Sequence, residues 1–303
     1  MRECGFCFTN IDDTSYDAHI IDCEKQQIEL YNNLAKPKEQ PKEPLKDAKT
    51  EPKEIELTDR QQKALGFVFK KSRIFSKNTY LDVLCKFKDR GLGKDELETV
   101  INYIKNVPVV IHVSTTTISH LAREGVYKNI FEITNSGKGQ SYNTSRFDWE
   151  KNMFNSIYDD AEAIEKVKYG ALNLLNNPNG VPSAYSYGNS YLLLKNHVKQ
   201  RITFVCGDSS QKQMQIATFD NNVILLNILD YKLLDEVIEI ALNKKNSSPT
   251  NYAYIEAQIH GPLIIGRDIQ MLYVNKHYQN DNSIKTILDS FYKNTGCPYT
   301  FMK

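Results

Sequence analysis

The sequence predicts an α+β protein. A large domain of mostly antiparallel strands, with helices at its N-terminal end, follows a small ββα module folded around a metal ion. Three observations carry this. Cys4, Cys7, His19 and Cys23 crowd into the first 23 residues. A stretch rich in Pro, Lys and Glu separates them from the rest of the chain. Beyond residue 107, short β-branched and aromatic runs alternate with helix-like or Asn/Gly/Ser-rich connections, the texture of strands and turns. The length of 303 residues also suits two units, at roughly 150 residues per domain.

Residues 1–30 form the first unit. The spacing Cys4-x2-Cys7-x11-His19-x3-Cys23 gives two thiolates from a tight turn and two ligands at i and i+4. The latter share one face of a helix, so the four can close a zinc tetrahedron. So small a unit lacks a core, and zinc binding would supply much of its folding free energy. The segment carries Asp12, Asp13, Asp17, Asp22 and Glu24, which repel phosphates and favour a protein ligand over nucleic acid.

Residues 31–57 read as a flexible linker. Four of the ten prolines fall in 35–54 among alternating Lys and Glu. Such a segment cannot bury enough apolar surface to order itself.

The second domain spans 58–303. Thr58-Asp59 caps an expected helix over RQQKALGFVFKK, and two more follow near 78–88 and 94–106. Strands are expected in VPVVIHV, YGALNLL, SYLLLKNHV, RITFVC, QIATFD and AYIEAQIHG. No glycine-rich phosphate loop of Rossmann or P-loop type occurs. Lys+Arg 38 against Asp+Glu 37 leaves a net charge of +1, which excludes a globally basic nucleic-acid binder. No run reaches the length of a spanning helix. The N-terminus lacks the apolar segment of a secretory signal, and six cysteines are too sparse for a disulfide scaffold. The expectation is a soluble, cytoplasmic, monomeric protein without nucleic-acid or membrane partners; secretion as an effector stays open.

Several positions stand out chemically. His112 ends a strand and is followed by Ser114 and Thr115, hydroxyl-rich turn chemistry suited to a sugar or an amide. The stretch 131–150 is rich in small and hydroxyl residues and carries Arg146 and the single tryptophan, as ligand loops often do. Gly170 and Gly188 stand where the backbone can approach a ligand. In NYAYIEAQIHGPL, period-two alternation puts Tyr254, Glu256, Gln258 and His260 on one face, with Ile255, Ala257 and Ile259 on the other. That polar face belongs either to a site or to a wet edge strand.

Residues Asp59 to Lys303 resemble a family of uncharacterised domains, mostly bacterial. Its blocks have the form Gly-x-Tyr-x-x-x-Phe-Glu-Thr, Tyr-Gly-Ala-Leu-Asn, Gly-Asp-Ser and Val-Glu-Ala-Gln-x-His-Gly. Here they stand in order as GVYKNIFEIT (125–134), KYGALNLL (168–175), CGDSS (206–210) and IEAQIHG (255–261). The family looks like a divergent branch of the ADP-ribosyltransferases, similar to effectors that modify ubiquitin on a threonine hydroxyl. The resemblance implies a split antiparallel β core with N-terminal helices, and NAD+ as co-substrate. It makes Glu256 the catalytic carboxylate and gives His112, with Ser114 and Thr115, the contact to the adenosine ribose. It places Thr134, Asn135, Ser136, Gly137 and Arg146 against nicotinamide and diphosphate. Tyr169 with Gly170, or Tyr187, would lie against the nicotinamide ring, while Gln258 or His260 would orient the acceptor or the carboxylate.

No Ser-Thr-Ser block is present, and Glu256 with Gln258 is not a Glu-x-Glu pair. A hydroxyl acceptor or simple NAD+ hydrolysis is therefore implied rather than an arginine acceptor. The finger in turn is similar to CCHC ubiquitin-binding fingers, whose helix would present Ile21 and Asp22 to ubiquitin. Together these imply an NAD-dependent mono-ADP-ribosyltransferase acting on ubiquitin or a ubiquitinated protein. The alternative is a non-catalytic ubiquitin-binding adaptor with a degenerate transferase fold.

Overall fold

The computed structural model describes residues 2–3, 10–11, 14–15, 55–133, 140–205 and 215–303, with residues 2–3, 10–11 and 140–146 described by backbone only. The chain divides into two compact units, Met1–Glu51 and Pro52–Lys303. In the first, β1 (Arg2–Glu3) pairs antiparallel with β2 (Asn10–Ile11), Arg2 opposite Ile11. The expected zinc ligands Cys4, Cys7, His19 and Cys23, and the expected ubiquitin-facing Ile21 and Asp22, lie outside the described residues. Among the described residues no cluster of His, Cys, Asp and Glu could hold a metal ion. Nor is any described helix long and apolar enough to cross a membrane.

The second unit begins with α1 (Asp59–Lys88). Thr58 closes its N-terminus reciprocally: Gln61 N–H donates to Thr58 Oγ1 at 3.3 Å, and Thr58 N–H donates to Gln61 Oε1 at 3.1 Å. This capping box satisfies two of the end's orphan donors. Two helices were expected here and one continuous helix forms. No Gly or Pro interrupts SRIFSKNT, and the hydroxyls of Ser72 and Thr79 donate back to the Phe69 and Phe75 carbonyls inside the helix. In α2 (Lys94–Asn106), Leu97, Val100, Ile101 and Ile104 fall on one buried face. Burying each contributes about 1.5–3 kcal/mol.

The central sheet takes in β3 (Val109–Val113), β5 (Lys168–Leu172), β6 (Ser190–Leu194), β7 (Ile202–Val205), β8 (Ile216–Thr218), β9 (Ile255–Ile259), β11 (Ile269–Val274) and β12 (Tyr299–Phe301). Their order is β12-β11-β6-β3-β5-β9-β7-β8. Every pairing is antiparallel except β11 with β12, so the sheet is mixed. A short pair, β4 (Val126–Tyr127) with β10 (Leu263–Ile264), lies apart from it. Helices α3 (Thr115–Glu124), α4 (Gln140–Phe154), α5 (Val223–Ile228), α6 (Tyr231–Ala241), α7 (Ile265–Asp268) and α8 (Asn282–Thr295) complete the unit.

Strand β9 is interior to the sheet, not an edge, and all five of its residues are buried. Its apolar face joins the main core. Its polar face lies near a smaller cluster that includes Val68, Phe154, Tyr158 and Val205. Beyond its end, the fully buried Asp268 carboxylate accepts from Ile264 N–H at 2.7 Å and pairs with Arg201 at 3.2 Å and Arg267 at 2.8 Å. Burial alone would raise its pKa, but these charge-assisted bonds hold it below the ordinary carboxylate range.

Candidate active site

Cross-strand register decides which side chains meet. Antiparallel partners share a face, so Ala171 opposite Glu256, Tyr169 opposite Gln258 and Val110 opposite Ala171 put these five on one side of the sheet. His112, two residues after Val110, joins them. On this side lies a cleft of about 220 Å³, whose lining includes His112, Tyr127, Lys128, Tyr169, Tyr187, Tyr254 and Glu256. Pockets that engulf a drug-sized ligand run from about 300 Å³ upward, so this one suits one end of a large ligand.

Glu256 is only 5% exposed. The Gln258 side-chain amide donates to its Oε1 at 3.0 Å, which fixes the direction of the carboxylate. Around it stand aromatic walls. Tyr187 and Tyr254 meet edge to face, ring centroids 6.4 Å apart, with their hydroxyls 3.4 Å from each other at the rim. Tyr169 is anchored from behind, its hydroxyl donating to Glu150 Oε1 at 3.0 Å. Glu150 is itself buried against Lys166, whose Nζ lies 3.3 Å from Glu150 Oε2 and 2.9 Å from the Tyr158 carbonyl.

His112 lines the cleft and is held by backbone on both ring nitrogens. It is neutral, since burial lowers its pKa. Its Nδ1–H donates to the Gly188 carbonyl at 2.9 Å, and Nε2 accepts from Val181 N–H at 2.9 Å. With both ring nitrogens committed to backbone, it offers the cleft a ring face rather than a proton. It fastens the 3-10 turn Pro182–Tyr187 over one side of the cleft. Gly180 permits the approach: its φ is +85°, and a Cβ there would sit 2.7 Å from His112 Nε2.

Ser114 is the N-cap of α3, its Oγ accepting from Thr117 N–H at 3.2 Å. Thr115 is the first residue of that helix. Neither lines the cleft, because the helix turns the chain away after β3. Gly170 does line it. Gln258 is fully buried and reaches the site through Glu256. His260 is also fully buried and does not line the cleft, so it cannot touch an acceptor. Burial, and then the Arg201 charge, push its pKa down to about 3. Thr134, Asn135, Ser136 and Gly137 lie outside the described residues. Arg146 falls within helix α4, where a loop was expected, and its side chain lies outside the description.

Residues the sequence did not mark complete the wall. The loop after β4 supplies Lys128, Asn129, Ile130 and Ile133. Asn129 staples that loop, its Oδ1 accepting from Phe131 and Glu132 N–H and its Nδ2 donating to the Ala163 and Lys166 carbonyls. Lys128, ion-paired with Glu124 at 2.8 Å, is the single cation among the described lining residues.

Residues 108–252 match the model of a family described as a protein of unknown function (DUF3626). That stretch holds β3, β5 and β7 but stops short of Glu256. No curated protein matches the chain. Among solved structures, the chain is similar to Thermosipho africanus DarTG in complex with ADP-ribose, at 11% identity and a TM-score of 0.34. The match covers 64% of this chain and 49% of that one, so the aligned part spans about half that chain's length.

Proposed function

We propose that this protein is an NAD-dependent mono-ADP-ribosyltransferase whose catalytic carboxylate is Glu256. The observation that carries the reading is the carboxylate itself, buried and aimed by Gln258 on the inner side of an aromatic-walled cleft. The cleft fits the nicotinamide-ribose end of NAD+. Tyr169, Tyr187 and Tyr254 offer flat faces to the ring, and Lys128 supplies positive charge for phosphate oxygens.

In this reaction the bond between nicotinamide N1 and ribose C1′ breaks. Its electron pair leaves with nicotinamide, and positive charge develops on the ribose as in glycoside cleavage. Glu256 accepts a hydrogen bond from the ribose 2′-OH and opposes that charge most strongly in the transition state. An acceptor hydroxyl oxygen then bonds to C1′, and its proton passes to solvent. Water in the acceptor's place gives NAD+ hydrolysis. The acceptor in this reading is ubiquitin or a ubiquitinated protein, held by a zinc finger in residues 1–30. That half rests on the Cys4–Cys23 spacing and its resemblance. Tethering a bound substrate would raise its effective concentration at the cleft.

The test is nicotinamide release from NAD+, followed together with the intact mass of ubiquitin. The expected result is one ADP-ribose added per ubiquitin, lost in Glu256→Gln. Nicotinamide release without a mass change would leave hydrolysis or another acceptor. No nicotinamide from the wild type would overturn the proposal in favour of the adaptor.

A further inference from the structure

Behind the cleft, a line of buried polar side chains runs from Glu256 away from solvent. Gln258 Nε2 lies 3.0 Å from Glu256 Oε1, Thr203 Oγ1 lies 3.1 Å from Gln258 Oε1 and 3.2 Å from His260 Nε2, and Tyr158 Oη lies 2.7 Å from His260 Nδ1. Thr203, Gln258 and His260 are fully buried, and Tyr158 is 1% exposed. The elements involved are far apart in sequence: Thr203 comes from β7, Gln258 from β9, and Tyr158 from the turns that follow α4.

Each link has a single consistent direction. A carboxylate only accepts, so the Gln258 amide presents its N–H to Glu256 and its oxygen to Thr203. Thr203 has one proton, and Gln258 Oε1 takes it. His260 Nε2 must then be the donor to Thr203 Oγ1. A neutral imidazole with its proton on Nε2 accepts at Nδ1, and there the Tyr158 hydroxyl donates. Every donor therefore points the same way, toward Glu256. Bonds so aligned polarise one another and place the positive ends of their dipoles on the carboxylate side.

We infer that Tyr158, His260, Thr203 and Gln258 are a one-way chain of positioning residues that fixes the place and favours the ionised form of Glu256, with Thr203 as the link that sets its direction. The inference deepens the transferase reading and rests on it for its kinetic test alone. Among the described residues lining the cleft, the titratable groups that face Glu256 are His112, Tyr127, Lys128, Tyr169, Tyr187 and Tyr254, and none of them belongs to the chain.

The test compares full-length wild type, Thr203→Val and Thr203→Ser. Valine keeps the shape but neither donates nor accepts, whereas serine keeps the hydroxyl. The carboxyl carbon resonance of Glu256, assigned by its loss in Glu256→Gln, is followed against pH, and nicotinamide release is measured in parallel. A hydrogen-bond chain ending on a charge is worth roughly ten- to a hundredfold in an equilibrium. Thr203→Val is expected to raise the Glu256 titration midpoint and to lower kcat by about that factor, with the KM for NAD+ little changed. Thr203→Ser restores both.

A Thr203→Val protein that titrates and turns over like wild type overturns the inference. If wild type releases no nicotinamide, the transferase reading fails and the titration alone decides: an unmoved midpoint overturns the chain, a raised one sustains it. Should Thr203→Val not fold, Tyr158→Phe removes only the first donor and is read in the same way, with a smaller shift expected.

Discussion

Acidification should unfold this protein partly through a single histidine. Burial, with Arg201 second, holds His260 at about 3 against its ordinary 6.5. Above pH 6.5 the residue is neutral in both folded and unfolded chains and adds no pH dependence. Below it, the unfolded chain takes up a proton that the folded one refuses, so stability falls as pH falls. The loss is about 1.4 kcal/mol per pH unit until the folded value is reached. Between pH 7.5 and 4.5 that amounts to about 2.7 kcal/mol, a large share of the roughly 5–15 kcal/mol typical of a domain. Burial lowers His112 in the same direction.

The assay is urea unfolding at about pH 7.5 and 4.5 for wild type and His260→Gln. Glutamine lowers stability at both values but cannot titrate. Carboxylates with lowered pKa values, such as Asp160 and Asp281, contribute equally to both proteins and cancel. Wild type should lose about 2.7 kcal/mol more than the variant between the two conditions. Equal losses would refute the neutral, buried state of His260.

Four further outcomes are expected. Ser114→Ala removes the cap of α3 and should cost about 1 kcal/mol in urea unfolding, with the KM for NAD+ unmoved because Ser114 does not line the cleft. Gly188→Ala should prevent stable folding, since φ there is +144° and a Cβ would fall 2.0 Å from the Val113 carbonyl carbon. Gly125→Ala, at φ +69° with open space around it, should cost only about 1 kcal/mol in urea unfolding. Asp268→Asn strips the partner from buried Arg201 and should lower stability by about 3–5 kcal/mol, read by calorimetry.

What the sequence revealed of the site followed local periodicity. Alternation alone put Tyr254, Glu256, Gln258 and His260 on one face, and the structure keeps Tyr254 and Glu256 in the cleft. It could not tell that Gln258 and His260 lie behind rather than within it. That depends on β7 pairing with β9, which brings Thr203 opposite Gln258 across 55 residues. Nor could it find Glu150 and Lys166, since a charged pair 16 residues apart reads as solvated surface until both prove to be about 1–2% exposed. His112 stands out in the sequence as a strand residue followed by hydroxyls, and the structure buries it. Its backbone partners at 181 and 188 come from a turn that no spacing rule links to β3. In the helices, the caps at Thr58 and Ser114 follow local rules. The continuity of α1 depended on hydroxyls folding back onto the helix, which composition does not disclose.

The grip of His112 has a consequence for how this cleft can change. It fastens the Pro182–Tyr187 turn through main-chain atoms at Val181 and Gly188, one on each side, while Tyr185 packs on its ring and Ala184 belongs to the core. The exposed Ser186 and Tyr187 can therefore be exchanged without loosening the anchor, provided Gly180 and Gly188 stay. The turn behaves as a replaceable cassette between two fixed clips. Libraries confined to those two positions offer a direct route to altering what enters the cleft while Glu256 and its supports stay in place.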